Sequence, residues 1–246
     1  APAALAACAQ SLWPGMPDPR PEGMSPEAVR MIHATPQGDT LVIAALVSEA
    51  LAWPFETVFN EVSRLDPNDA LRLLEAALSG LSIHDPLPRA FEHAALTVQM
   101  TLSAAAFGQL KRHRMATLQA APYDPGLGLT IPPSLGGAGL EEVLVRAGQD
   151  AAALWSLLGG PAEPVASYAL LNAHRREALV TLNLREIYHV SRLREDAHAQ
   201  WDIRTLAASL SGLARQAFPL TARWLGGKDA VCLSPHPNLD PATRFD

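Results

Sequence analysis

Cysteine is scarce: Cys8 and Cys232 are the only two among 246 residues. That is too few for a disulfide framework and the wrong spacing for a metal site, so a reducing cytoplasm is the expected compartment. His33, His84, His93, His174 and His236 are equally scattered, and no metal is expected. Long hydrophobic runs are missing too. The longest, residues 41–51, is interrupted by Ser48 and Glu49 and is too short for a membrane helix. The formal net charge is −6, which argues against a general nucleic-acid binder with its basic face. No signal-peptide pattern opens the chain, which begins at Ala1 without Met and is read as trimmed. A nucleophile elbow, a Walker loop and a Cys–His pair are also absent, so covalent catalysis by a side chain is not indicated.

What is present suits one large domain. Hydrophobic residues make up 48% and charged residues 18% of the chain, enough to fill a sizeable core. Residues 2–11 predict a short Ala-rich helix, stopped by Trp13-Pro14-Gly15 and a Pro-rich loop to Pro26. Ser25-Pro26-Glu27 offers an N-cap, a first-position proline and a first-turn acid, the start of another helix. Residues 40–52 are apolar nearly all round and predict a buried helix, followed by one near 55–65. From Asp66 to Leu78 a further helix carries Leu71, Leu74 and Leu78 on one face, with Gly80 as its C-cap.

The period then changes from helical to two. Leu96, Val98, Met100 and Leu102 alternate with Thr97, Gln99, Thr101 and Ser103, as in a strand with one buried face. Ser103 can cap a helix through Phe107, and Ala116 to Tyr123 can return as a strand. After a Gly- and Pro-rich loop, an amphipathic helix is predicted from Leu140 to Leu158, its stripe formed by Leu140, Val143, Leu144, Ala147, Ala151 and Leu154. Helices over about 163–192 and 198–217 complete the chain before a Pro-rich tail. No repeat of 20–50 residues is present.

Two polar segments stand out in this acidic chain. Lys111-Arg112-His113-Arg114 ends the helix after Ser103. Cations there offset the helix dipole by about 0.3–1 kcal/mol and need no ligand, or they converge on an anion. About 70 residues on, Arg185, His189 and Arg192 fall at i, i+4 and i+7 on one helical face, where Glu186 is the only local acid. Residues and spacing leave an anion site and a solvated face equally open. Gly136-Gly137-Ala138-Gly139, ahead of a helix, reads as a flexible capping loop rather than a phosphate cradle.

Together the two segments resemble the flavin-dependent thymidylate synthases. The family signature begins Arg-His-Arg, as at Arg112-His113-Arg114. Asn183-Leu184-Arg185 and the run from Leu193-Arg194 through His198-Ala199-Gln200-Trp201 to Arg204 look like its C-terminal block almost throughout. Phe91-Glu92-His93 is similar to its Pro-Phe-Glu-His segment, and Ser11 matches weakly. The resemblance covers roughly residues 66–218. It implies an α/β (α+β) fold, a small, mostly antiparallel sheet packed with several long helices, as one domain over residues 1–246. About 15–65 would be an extra N-terminal helical insertion and about 226–246 a Pro-rich tail.

The resemblance further implies a homotetramer with active sites at its interfaces. Its reaction would be reductive methylation of a pyrimidine nucleotide, dUMP by default, with FAD as cofactor and methylenetetrahydrofolate and NADPH as co-substrates. By matching position, Arg112, His113, Arg114, Glu92, Asn183, Arg185, His189 and Ser11 would lie at the FAD. Gln109, Arg112 and Arg194 would touch the nucleotide, and Arg194 and Gln109 would orient it for reaction. Nucleic acid and membrane are not expected partners. A guanidinium binds phosphate oxygens in pairs and stays charged, which suits a dinucleotide.

The departures cluster in one loop. Thr117 and Gln119 replace a Ser and an Asn of the signature, Pro122 a second Ser, and Asp124-Pro125 the Arg-Tyr pair. A nucleotide-binding Glu and Arg fall on Ala120 and Ser167. Exchanging a bidentate Arg for Asp costs a charge-assisted bond of about 1.5–3 kcal/mol, with repulsion added. Alternatives are therefore a flavoenzyme acting on another acceptor, or a non-catalytic FAD-binding or assembly subunit.

Overall fold

The computed structural model describes residues 2–13, 28–82 and 85–228. Helix α1 (Pro2–Leu12) is followed by strand β1 (Val29–Ala34), then α2 (Gly38–Leu51), α3 (Phe55–Val62) and α4 (Pro67–Leu78). A 3-10 turn, Arg89–His93, leads into β2 (Ala95–Ser103), α5 (Ala104–Leu110) and β3 (Thr117–Ala120). The short α6 (Pro133–Gly137) and the long α7 (Glu141–Leu157) precede β4 (Arg175–Asn183), α8 (Leu184–Arg194) and α9 (Trp201–Ala217). Among the described residues no helix is long and apolar enough to cross a membrane.

Four strands pair antiparallel in the order β1-β2-β4-β3. The alternation of β2 is used as the sequence implies: Leu96, Val98, Met100 and Leu102 are buried, and the first three meet Leu182, Val180 and Ala178 of β4 in register. Side chains two apart share a face, so the opposite face collects Thr97, Gln99 and Thr181. There the Thr97 and Thr181 hydroxyls pair at 2.9 Å and the Gln99 amide donates to Glu177 Oε1 at 2.8 Å. The apolar face carries α9, which packs against β1, β2, α5 and α8. α2 lies on α3, α4 and the Arg89–His93 turn.

Local chemistry explains several boundaries. Asp66 caps α4 through Asn68 and Asp69 amides, with Pro67 at the first helical position. Ser103 Oγ accepts from the Ala106 amide and starts α5. Asn183 Oδ1 accepts from the Glu186 amide (2.9 Å) and starts α8, and Gln200 Oε1 accepts from the Ile203 amide (3.0 Å) and starts α9. Gly38 opens α2 where a Cβ would collide with the Phe218 ring, so the two segments approach as closely as glycine allows.

Three expectations are corrected. The helix expected over about 163–192 is instead a 3-10 segment, Pro164–Ala169, then strand β4, and only then α8. Its buried Ala178, Val180 and Leu182 follow period two, a pattern blurred by Leu179 on the open face at 38% exposure. The segment 15–65, expected as an added helical insertion, supplies an edge strand: β1 pairs with β2 across a bulge between Met31 and His33. Ser25-Pro26-Glu27 lies outside the described residues, and the next described element is that strand. Gly80 does not cap α4; Ser79 holds the C-cap position in right-handed geometry. The tail beyond 228 also lies outside the described residues.

Candidate active site

The end of α5 and the end of α8 bring two cationic segments together. Arg194 Nε–H donates to His113 Nε2 (3.0 Å), and its Nη1 donates to Gln109 Oε1 (3.1 Å). A weaker contact runs from Nη2 to the Gln109 carbonyl at 3.4 Å. His113 is buried, and its Nδ1 meets Glu186 Oε1 at 3.2 Å. Because Nε2 accepts from a guanidinium, the ring proton belongs on Nδ1 and is donated to Glu186. Gln109, Arg194, His113 and Glu186 thus form one hydrogen-bonded chain across 85 positions of sequence separation at its longest link.

The electrostatics are strongly one-sided. Burial first, and then the neighbouring Arg112, lower the Arg194 guanidinium from its ordinary value, though an Arg stays charged at working pH. His189 sits edge-on to His113, with ring centroids 5.5 Å apart. Desolvation, opposed by Glu186 and assisted by Arg192 and Arg194, holds His189 below the usual imidazole range. Arg112 and Arg114 are exposed, and neither guanidinium has a hydrogen-bond or ion-pair partner among the described residues. The repulsion between Arg112 and Arg194 is what an anion would relieve.

A second group stands at the other end of α8. Arg185 Nε donates to the Leu87 carbonyl (2.8 Å) and its Nη1 to Glu92 Oε1 (3.0 Å). Arg89 grips the same carboxylate through Nε at 3.2 Å and Nη2 at 3.0 Å. Arg89, and then Arg185, hold Glu92 below the ordinary carboxylate range. From Arg185 to Arg194 is nine residues of helix, or roughly 14 Å at about 1.5 Å each. Within one chain the two groups are therefore neighbours along α8 and do not share one contact shell. Asn183 belongs to the second group by position, with its side-chain oxygen committed to capping.

Not every candidate residue converges here. Ser11 is exposed on α1, and its hydroxyl donates to the Cys8 carbonyl of its own helix at 2.7 Å. Past Arg194, the block to Arg204 forms the turn between α8 and α9 and the start of α9: Asp196 Oδ1 accepts from the His198 amide (2.9 Å), and Arg204 donates to the Ala197 carbonyl (3.0 Å). Sequence reasoning passed over two residues. Glu186 was visible as the lone acid among cations, but its burial was not. Arg176, on β4, lies between the rings of Phe107 and Tyr123, 4.6 and 4.4 Å from their centroids, and donates to the Ala121 carbonyl. That contact ties the loop after β3 to the sheet.

The family profile described as Thymidylate synthase complementing protein matches residues 30–220. The chain belongs to that family. Among its relatives, the flavin-dependent thymidylate synthase of Sulfolobus acidocaldarius is 33% identical over 144 residues, 55% of this chain and about half (55%) of that protein's length. The flavin-dependent thymidylate synthase of Sulfurisphaera tokodaii is 28% identical over 209 residues, 80% of this chain and 77% of the relative. In fold the chain is similar to the crystal structure of the UMP/dUMP methylase PolB from Streptomyces cacaoi bound with 5-Br dUMP. The TM-score is 0.62 at 16% identity, over 79% of this chain and 92% of the other. The profile match begins inside β1, so most of the segment expected as an insertion lies within the part matched to the thymidylate synthase complementing family.

Proposed function

We propose that this chain is a flavin-dependent methyltransferase that binds FAD and reductively methylates a pyrimidine nucleotide, dUMP by default. Methylenetetrahydrofolate would supply the carbon and NADPH the reducing equivalents. The observation that carries the reading is the exposed Arg112, without a partner among the described residues and close enough to the half-buried Arg194 to act on its charge, with Arg114 exposed and unpartnered two residues on. A diphosphate bridge is the complementary ligand, since guanidinium groups take phosphate oxygens two at a time. FAD, when bound, supplies the hydride chemistry that no side chain here can perform.

The protein's own contribution is positioning. Arg194 commits three of its five N–H donors to His113 and Gln109, which leaves two to orient the carbonyl or phosphate oxygen of an acceptor. Gln109 and the buried His113 brace it, and His189 packs edge-on against His113. Purified protein should be yellow, and Arg112→Ala combined with Arg185→Ala should weaken FAD uptake by roughly a hundredfold or more, as expected for two lost charge-assisted contacts. A colourless protein that takes up no FAD, or an unchanged flavin titration in the double variant, ends this reading.

The assembly is proposed to be a homotetramer with shared sites. Support comes from α7: Ala151 is buried, but among the described residues Val143, Leu154 and Leu157 stay 64%, 48% and 84% exposed. An apolar helical face left bare in a monomer calls for a partner surface. The separation of the two cationic groups along α8 also suits a site completed by another subunit. Val143→Glu with Leu157→Glu should reduce the mass seen by light scattering and lower FAD retention. An assembly unaffected by both substitutions would exclude α7 as the contact.

One observation favours a different acceptor with the same chemistry. In the loop after β3, Asp124 Oδ1 is turned onto the Gly126 amide (2.8 Å), and Ser167 Oγ donates to the Pro164 carbonyl (2.8 Å). Neither group resembles a phosphate grip. If the acceptor lacks a 5′-phosphate, uridine or deoxyuridine will speed flavin reoxidation and dUMP will not.

A further inference from the structure

Glu186 is a carboxylate 7% exposed in the first turn of α8, bonded to His113 and close enough to His189 to act on it. Its position is fixed from both sides. The backbone amide of Glu186 is held by Asn183 Oδ1, and the side chain reaches inward to His113 Nδ1. The imidazole passes the constraint onward, since only a ring protonated on Nδ1 presents Nε2 as an acceptor to Arg194. Were the proton on Nε2, two donors would face each other at 3.0 Å and the guanidinium would swing away. Gln109 alone would then hold Arg194, through one firm bond and one at 3.4 Å.

We propose that Glu186 is a positioning residue for Arg194: by fixing the tautomer of His113 it sets the direction in which Arg194 presents its two remaining donors. Its part in turnover rests on the reading of Arg194 as the group that faces the acceptor, while the tautomer and the Arg194 contact stand on the geometry alone. A buried carboxylate that merely neutralised nearby positive charge would do so without selecting a tautomer. Glu186→Gln separates the two roles. The amide has nearly the same shape and can either accept from Nδ1–H or donate to Nδ1, so the ring is no longer held in one form.

The test uses the full chain in two stages. Nitrogen-15 spectra of the histidine rings and of the arginine Nε–H groups require neither cofactor nor substrate. Wild type should show His113 protonated on Nδ1 and a slowly exchanging Arg194 Nε–H. Glu186→Gln should mix the tautomers and speed exchange of that proton. In the loaded enzyme, the same variant should keep its FAD affinity and its rate of flavin reduction by NADPH. Its dUMP-dependent reoxidation should fall about tenfold to a hundredfold, the usual cost of removing a group that orients a directly acting one. His113 protonated on Nε2 in wild type overturns the inference whether or not any variant folds. So does a Glu186→Gln protein with wild-type ring spectra and wild-type turnover. Should the protein take up no FAD while the spectra come out as expected, the functional reading fails and the positioning role stands.

Discussion

Arg194→Ala is expected to lower dUMP-dependent flavin reoxidation by about 10²–10³, comparable to removing one preorganised donor from a reacting centre. The guanidinium is held by His113 and Gln109 before any ligand arrives, so its orientation costs nothing at the moment of reaction. FAD binding should change little, because Arg112, Arg114 and Arg185 remain. Arg194→Lys restores the charge without the planar fork that meets His113 and Gln109 together, and should recover only a minority of the loss. Stopped-flow reoxidation with and without dUMP measures both. A rate in Arg194→Ala within threefold of wild type would remove Arg194 from the site.

Which of these residues could be read from the sequence depends on how locally each is determined. β2 was legible because its two faces differ in solvent exposure and nothing interrupts the alternation. Ser103 was legible as a cap because its partner lies three residues on; Asn183, which caps α8 in the same way, was hidden inside a helix expected over about 163–192. β4 was not legible: it is an inner strand, Leu179 sits among its polar positions, and Arg175-Arg176 reads equally well as a helix start. β1 hid behind a bulge that breaks its period at Met31 and His33. The stripe on α7 was correctly identified as apolar, yet periodicity cannot say whether a core or another subunit covers it. For the site, the cations were visible as composition, and the resemblance placed them. The bond from His113 to Glu186 joins residues 73 apart and exists only because β4 brings α8 back beside α5.

The longest-range side-chain tie among the described residues makes the same point and carries a large expected effect. Asp39, in the first turn of α2, accepts from the Thr221 amide at 2.8 Å and from the Thr221 hydroxyl through Oδ1. Its Oδ2 accepts from the Leu220 amide at 3.0 Å. These bonds span 181 and 182 residues, and Thr221 is fully buried. Asp39→Ala would take the acceptor from three donors, two of them on the buried Thr221, for a loss of about 3–5 kcal/mol at roughly 1–3 for each unsatisfied group, allowing for partial relaxation. In a chain of this size that is roughly 10 °C in Tm. Asp39→Asn keeps one carbonyl oxygen but points an amide donor at another donor, and should fall about midway. Thr221→Val removes only the hydroxyl and should cost about 1 kcal/mol. Urea denaturation of the three variants checks the order, and a loss under about 1 kcal/mol for Asp39→Ala would contradict it. The seam cannot relax easily, because Gly38 is already against the Phe218 ring and any rotation of α2 drives its backbone into that side chain. Both ends of the segment that frames the sheet are therefore fixed by one carboxylate, and stability there should be lost without any change in the residues around Arg194.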